Sequence, residues 1–221
     1  MFKQKILKTQ FATHDVKQII IQKPKGYTFI PGQAAEVSIL KKGLENEKRP
    51  FTFTSLNTDP TLEFTIKEYP ERKGITAEIH KLRAGDKISI DKPFGSISYQ
   101  GPGTFIAGGA GVTPFIAILR QLKYKNDLAG NSLIFSNKTW KDIILEREFV
   151  SLLGEENVFY TLTEQKKIGY DNTKINKDYL KEKMSSFHQK FYLCGPPQFV
   201  KDIKTYLLEL DAKEENIIQE G

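Results

Sequence analysis

The chain has 221 residues and a mass of 25.2 kDa, with 33 Lys and Arg against 27 Asp and Glu, a formal net charge of +6. That length suits two domains of about 100 residues each, and 39% hydrophobic residues with 11% aromatics exclude a globally disordered chain. The single cysteine, Cys194, excludes an internal disulfide and a cysteine-ligated iron–sulfur cluster, which takes about four thiolates.

No apolar run nears the roughly 20 residues that a membrane helix needs, so no membrane insertion is expected. The opening residues, MFKQKILKTQF, alternate like a strand and lack a signal peptide's apolar block, which points to a cytoplasmic protein. Lys and Arg exceed Asp and Glu by 17 to 11 over residues 1–101 and stand level at 16 to 16 over 102–221. The whole excess therefore falls in the first half. Such a face suits nucleic acid, an anionic membrane surface or an acidic protein, or is a solvated lysine-rich surface.

In chain order, KILKTQF, VKQIIIQ, AAEVSIL, RPFTFTS, LEFTIKE and DKISI are short β-rich runs separated by turn material such as KPKG, IPGQ, LNTDP and RAGD. Six such strands predict an antiparallel barrel. One segment, GITAEIHKLRAGD, has Ile75, Ile79 and Leu82 at helical spacing, with Thr76 as N-cap and Gly85 as terminator. From Thr104 the pattern changes: TFIA, SLIFS, NVFYTLT and KFYLCG read as buried strands, with helices near 114–124, 140–153, 176–184 and 197–210. Alternating strands and helices predict a Rossmann-like α/β domain with a parallel sheet. The boundary is placed at Tyr99–Gly103, giving domains 1–101 and 102–221.

The first strand-to-helix turn of the second domain reads FIAGGAGVTPFIAIL. Gly108, Gly109 and Gly111 permit a tight turn and a close ligand, Thr113 is placed to cap the helix, and Pro114 suits its first turn. GGxGxTP lacks the Lys-Ser/Thr of a P-loop and the third glycine of the usual dinucleotide fingerprint. Its residues satisfy either a ligand-binding turn or a merely tight one.

RPFTFTS at 49–55 and YLCGPPQFV at 192–200 change that balance. With the glycine turn, in this order, they resemble the ferredoxin–NADP reductase superfamily, of the flavodoxin/ferredoxin reductase and cytochrome b5 reductase type, over essentially the whole chain. The resemblance implies a flavin-binding barrel followed by a nicotinamide-nucleotide domain. Arg49 then matches the arginine that pairs with the flavin pyrophosphate, next to Pro50. Phe51 matches the aromatic that stacks on the isoalloxazine, where the family usually has tyrosine, and Thr52 takes the hydroxyl position near flavin N5. Gly74, Ile75 and Thr76 match the helix start that holds the FAD pyrophosphate, which favours FAD over FMN.

By the same resemblance Gly109, Gly111, Val112, Thr113 and Pro114 receive the NAD(P)H pyrophosphate. Ser136, Asn137 and Lys138 sit where the adenosine ribose is read. Lys138 and nearby Lys141 suit a 2'-phosphate and no acidic residue stands at that strand end, which leans the reading toward NADPH over NADH. Trp140 is expected to pack rather than to bind adenine. Cys194, Gly195 and Pro196 come beside the nicotinamide, with Cys194, Thr52 and Glu220 the residues nearest the chemistry. The family commonly ends Glu-x-aromatic; this chain ends Gln219-Glu220-Gly221, with no terminal aromatic to cover the flavin.

His14, His80 and His188 share no metal-ligand spacing and no Ser-His-Asp arrangement is recognisable, so no metal is assigned. The implied chemistry is hydride transfer across about 3 to 3.5 Å between nicotinamide C4 and flavin N5. Single electrons then pass to a small acidic carrier protein, a flavodoxin or ferredoxin, docked near Lys41, Lys42 and Lys48. A free-flavin reductase and an electron-transfer subunit of a larger complex are the alternatives; no recognition motif supports nucleic-acid binding.

Overall fold

The computed structural model describes residues 1–69, 74–95 and 97–219. The first half forms six antiparallel strands, β1 (Phe2–Phe11), β2 (Val16–Gln22), β3 (Ala34–Ile39), β4 (Arg49–Thr52), β5 (Thr61–Lys67) and β6 (Lys87–Ile90), in the order β4-β3-β6-β1-β2-β5. A bridge between Phe53 and Phe64 brings the two ends of that order together and nearly closes the barrel. Its core is aromatic at that seam, where Phe53 stacks on Phe29 at 4.3 Å and lies 5.1 Å from Phe64. Ile6, Ile19, Ile21, Val37 and Ile88 fill the rest.

Helix α1 (Ile75–His80) covers the barrel with Ile75 and Ile79. Its N-cap is Gly74, in extended conformation with no side-chain cap, so Thr76 lies one residue inside the helix rather than capping it. The terminator differs too: the helix ends at His80, and Gly85 serves the next turn at φ 100. The last carbonyls are met by a buried cation, since Lys17 on β2, 6% exposed, donates to His80 O at 2.8 Å and to Leu82 O at 2.7 Å. A strand lysine that reads as solvated is thus a helix C-terminal partner.

The second half is a parallel sheet of β7 (Gly103–Gly108), β8 (Ser132–Asn137), β9 (Val158–Leu162), β10 (Lys190–Cys194) and β11 (Ile217–Gln219), ordered β11-β10-β7-β8-β9. Alternation along the strands sorts side chains to two faces. Phe105, Ala107, Leu133, Phe135 and Tyr192 join α2 (Thr113–Tyr124) and α3 (Glu146–Leu153) on one face. Ile106, Ile134, Phe191 and Leu193 join α4 (Lys177–Lys183) and α5 (Pro197–Glu209) on the other. The helix expected over 140–153 is two pieces, a single turn at Trp140–Asp142 and then α3, because Ile143 is extended and Leu145 turns to φ 52.

The chain runs from β7 outward to β8 and β9, then returns to place β10 on the other side of β7. The connections therefore diverge at the carboxyl ends of β7 and β10, the place where open α/β sheets leave a crevice for ligands.

Candidate functional site

The crevice is a cleft of about 520 Å³, walled by Gly108–Gly111 after β7, Ser136, Asn137 and Lys138 after β8, and Cys194–Pro197 after β10. Lys67 and Tyr69 close it from the barrel, so it spans both domains. A one-turn helix, Gly109–Val112, precedes α2. This makes Thr113 the first residue of α2 rather than its cap, and its hydroxyl donates to Ala110 O at 3.0 Å, pinning the turn. Val112 and Pro114 are buried beneath the turn and shape it.

The glycines have separate duties. A Cβ on Gly108 would press on Pro196 and Phe199, and one on Gly195 on Phe199, so these residues let the β7 and β10 turns close on one another. Gly109, at φ 53, faces open space. It is the position of the turn that a ligand can approach without meeting protein.

Asn137 lines the cleft with its side-chain amide buried in the wall. It is 4% exposed, its backbone carbonyl accepts from Thr163 N at 2.9 Å, and neither Oδ1 nor Nδ2 of its side chain has a partner. A buried amide left unsatisfied is destabilising by about 1–3 kcal/mol, which a ligand offering both donor and acceptor would relieve. Beside it, Lys138 is 70% exposed and forms an ion pair with Glu164 at 3.0 Å. Trp140 is partly exposed with Lys167 Nζ 3.7 Å above its ring.

No acidic residue stands at the strand end itself, but one five residues further on reaches the same cleft. Asp142 lines the cleft, folded back by a capping box in which its Oδ2 accepts from Thr139 N at 2.8 Å and Thr139 Oγ1 at 2.7 Å. The Thr139-x-x-Asp142 spacing was the available signal. Lys67 and Tyr69 carried no such signal, because only domain packing brings them to the cleft. His14, Asp15 and Asp142 converge at the same seam, and Lys67 Nζ lies 2.7 Å from Asp15 Oδ2 and 3.9 Å from Asp142 Oδ1. The cluster is thus an ion-pair network already supplied with a cation.

Arg49, Pro50, Phe51 and Thr52 form β4 and are not part of the cleft wall. Arg49 is exposed, its Nη1 donates to Lys48 O at 2.7 Å, and no carboxylate pairs with it among the described residues. Phe51 is half-buried against the barrel core, and Thr52 pairs with Ala34 of β3. Gly74 and Thr76 are half-buried and Ile75 is buried. Glu220 lies outside the described residues.

A barrel joined to a parallel sheet, with a glycine-turn cleft between them, is a two-domain architecture with a nucleotide-sized crevice at the switch point of the sheet. The FAD-binding domain family matches residues 1–104 and the oxidoreductase NAD-binding domain family residues 105–205. NADH-cytochrome b5 reductase 2 of Mycosarcoma maydis is 29% identical over 213 residues, covering 86% of this chain and 60% of that protein. The FAD/NAD-binding domain of a nitric oxide dioxygenase from Vibrio cholerae O1 biovar El Tor has the same fold, with a TM-score of 0.88 at 19% identity over 98% of this chain and 96% of that one. A ferredoxin NADP+ reductase from Neisseria gonorrhoeae, solved with FAD and NADP bound, gives a TM-score of 0.81 at 22% identity over 99% and 97%.

The chain belongs to the ferredoxin–NADP reductase-like superfamily of FAD- and NAD(P)-binding oxidoreductases. Its two matched domains are those that bind FAD and a nicotinamide nucleotide, and the chain spans about 60% of the length of the M. maydis relative. Among the described residues no helix is long and apolar enough to cross a membrane.

Proposed function

We propose that this protein oxidises NADH and passes the electrons singly to a small acidic carrier protein docked on the barrel. FAD, when bound, supplies the exchange between a two-electron hydride donor and a one-electron acceptor. The observation that carries the reading is the interdomain cleft with the unsatisfied Asn137 amide in its wall.

The residues divide the work. Gly109 and Gly111 bring backbone to the nicotinamide nucleotide's pyrophosphate, with Val112, Thr113 and Pro114 fixing the turn. Ser136 and Asn137 hydrogen-bond the adenosine ribose. Asp142 in the cleft wall repels a 2'-phosphate, and the Lys138 ammonium already meets Glu164, which supports NADH over NADPH. Cys194, Gly195 and Pro196 border the nicotinamide. On the barrel, Arg49 offers a planar fork to the FAD pyrophosphate, Phe51 an apolar face to its ring, Thr52 a hydroxyl, and Gly74, Ile75 and Thr76 their N–H groups.

The acceptor is a separate protein of flavodoxin, ferredoxin or cytochrome b5 kind. The last is the partner for which the M. maydis relative is named. Lys41 and Lys42 are exposed and supply positive charge near β4, whereas Lys48 is paired with Asp91 at 2.5 Å and drops out of the docking set. Transient redox partners are steered by charge, so their association slows steeply with salt.

The test starts from the absorption spectrum of purified protein. Bound FAD, bleaching on addition of NADH and loss of flavin from Arg49→Ala are expected; colourless protein that takes up no FAD would refute the reading. Stopped-flow reduction of an acidic carrier across a salt series then tests docking, and a second-order rate insensitive to salt and to reversal of Lys41 and Lys42 rejects it.

A further inference from the structure

One guanidinium joins the two domains. From α2, Arg120 Nη1 donates to the Thr54 carbonyl at 2.6 Å and to Glu63 Oε1 at 2.9 Å, both on the barrel. Its Nε and Nη2 donate to the two carboxylate oxygens of Glu148 on α3, at 2.6 and 2.9 Å. Glu63 is fixed in turn, because the Thr54 hydroxyl donates to the same Oε1 at 2.8 Å and Thr54 N–H donates to Glu63 O at 2.8 Å. Burial pushes the Arg120 pKa down, and hydrogen bonds and charge from Glu148 and Glu63 more than reverse this, so the group stays cationic throughout.

Each end of this network adjoins one cofactor bed. Thr54 follows Thr52 by two residues, and Arg120 stands seven residues along α2 from Thr113, which is two helical turns or about 10 Å. Both connections are short: a strand end locked to β5, and a helix that begins directly after the glycine turn. A forked, two-sided clamp on such elements fixes the orientation of one bed to the other. A surface ion pair with one partner does not.

We infer that Arg120 is a positioning residue, which sets the separation and tilt between the flavin bed of the barrel and the nicotinamide bed of the α/β domain without touching either cofactor. The inference rests on the proposed hydride transfer. Misplacement by about 1 Å from a change remote from the chemistry slows such steps by about a hundredfold, so a loosened clamp acts on transfer rather than on binding. Among the described residues Arg120 does not line the cleft and none of its hydrogen bonds reaches β4, so each cofactor should keep its own bed when Arg120 changes.

The test uses full-length Arg120→Met and Arg120→Lys, saturated with FAD and normalised to flavin content, mixed anaerobically with NADH in a stopped-flow instrument. Expected for Arg120→Met are an NADH dissociation constant within about twofold of the parent, a transfer rate at least about tenfold lower, and loss of the long-wavelength absorbance of a nicotinamide stacked on a flavin. Arg120→Lys, which keeps the charge but reaches fewer partners, should recover part of both. Glu148→Gln, which cuts only the α/β side, gives the same readouts if the Met variant folds poorly. Parent-like rate and stacking absorbance in flavin-replete Arg120→Met would overturn the assignment, as would a rate loss that merely tracks weaker NADH or FAD binding. A parent protein that binds FAD but shows no transfer from NADH would refute the functional reading itself, and the inference with it.

Discussion

Gly111 and the Cys194 carbonyl compete for one space. A Cβ on residue 111 would overlap that carbonyl and lie 2.6 Å from the Gly195 Cα. The two turns that frame the cleft are therefore in backbone contact, and their glycines serve the protein before they serve a ligand. Gly111→Ala must part β7 from β10, and overpacking of this kind destabilises by about 1–3 kcal/mol. Gly109→Ala meets no neighbour, and its backbone at φ 53 adds about 1–2 kcal/mol of local strain. Thermal scans with and without NADH should separate them. Both lose nucleotide affinity, and only Gly111→Ala should also alter the Cys194 side, seen as changed thiol reactivity.

Asn137 predicts an inversion of the usual outcome for a buried substitution. Because its amide is unsatisfied, Asn137→Leu removes a polar group that gains nothing in the nucleotide-free protein. Its melting temperature without nucleotide should equal or exceed the parent's. NADH affinity by calorimetric titration should fall about tenfold. A clear loss of unliganded stability with intact affinity would show that the amide faces a partner other than the nucleotide.

Asp142→Asn keeps an oxygen for Thr139 and removes the charge from the cleft wall. The ratio of kcat/KM for NADPH to that for NADH should rise roughly fivefold to tenfold. Lys138→Ala should change either value by no more than about twofold, since an exposed pair contributes little. A large, NADPH-specific loss in Lys138→Ala would reverse the assignment of nucleotide preference.

Acid should weaken the seam beside the cleft. Burial pushes the Asp15 carboxyl up, but hydrogen bonds from Lys67 and Thr13 and the charges of Lys67 and His14 outweigh it, holding its pKa below the ordinary 3.8. A depressed folded value means that the stabilisation is complete above the unfolded value and fades as pH falls through the folded one. Asp15→Asn should therefore melt lower than the parent at pH 6 to 7, with the gap closing as the pH falls below the ordinary carboxyl value. A gap independent of pH would attribute the effect to packing.

What was legible followed from periodicity. The six barrel strands, the change to buried strands with helices, and the two glycine–proline turns are written locally, so the fold and half of the cleft could be read in order. β11 was missed because three residues, Ile217–Gln219, are too short to show a period. The break at Leu145 was missed because IILE continues an apolar pattern that the backbone abandons. Lys67, Tyr69 and the Arg120 clamp depend on how two domains meet, and nothing in the neighbouring residues encodes that. Thr76 and Thr113 have the residue type of a cap but not the register, since Gly74 and a one-turn helix take those places.

Val16 from the barrel hairpin and Ile97 from the linker are buried in the same apolar cluster as Phe105, Phe115 and Leu133. The seam between the halves is thus an extension of the α/β domain's apolar core, lying beside the barrel's own. Melting should be a single calorimetric event, with barrel and sheet lost together. If the halves melt together, the two beds exist only as a pair, and their register is then a property of folding itself.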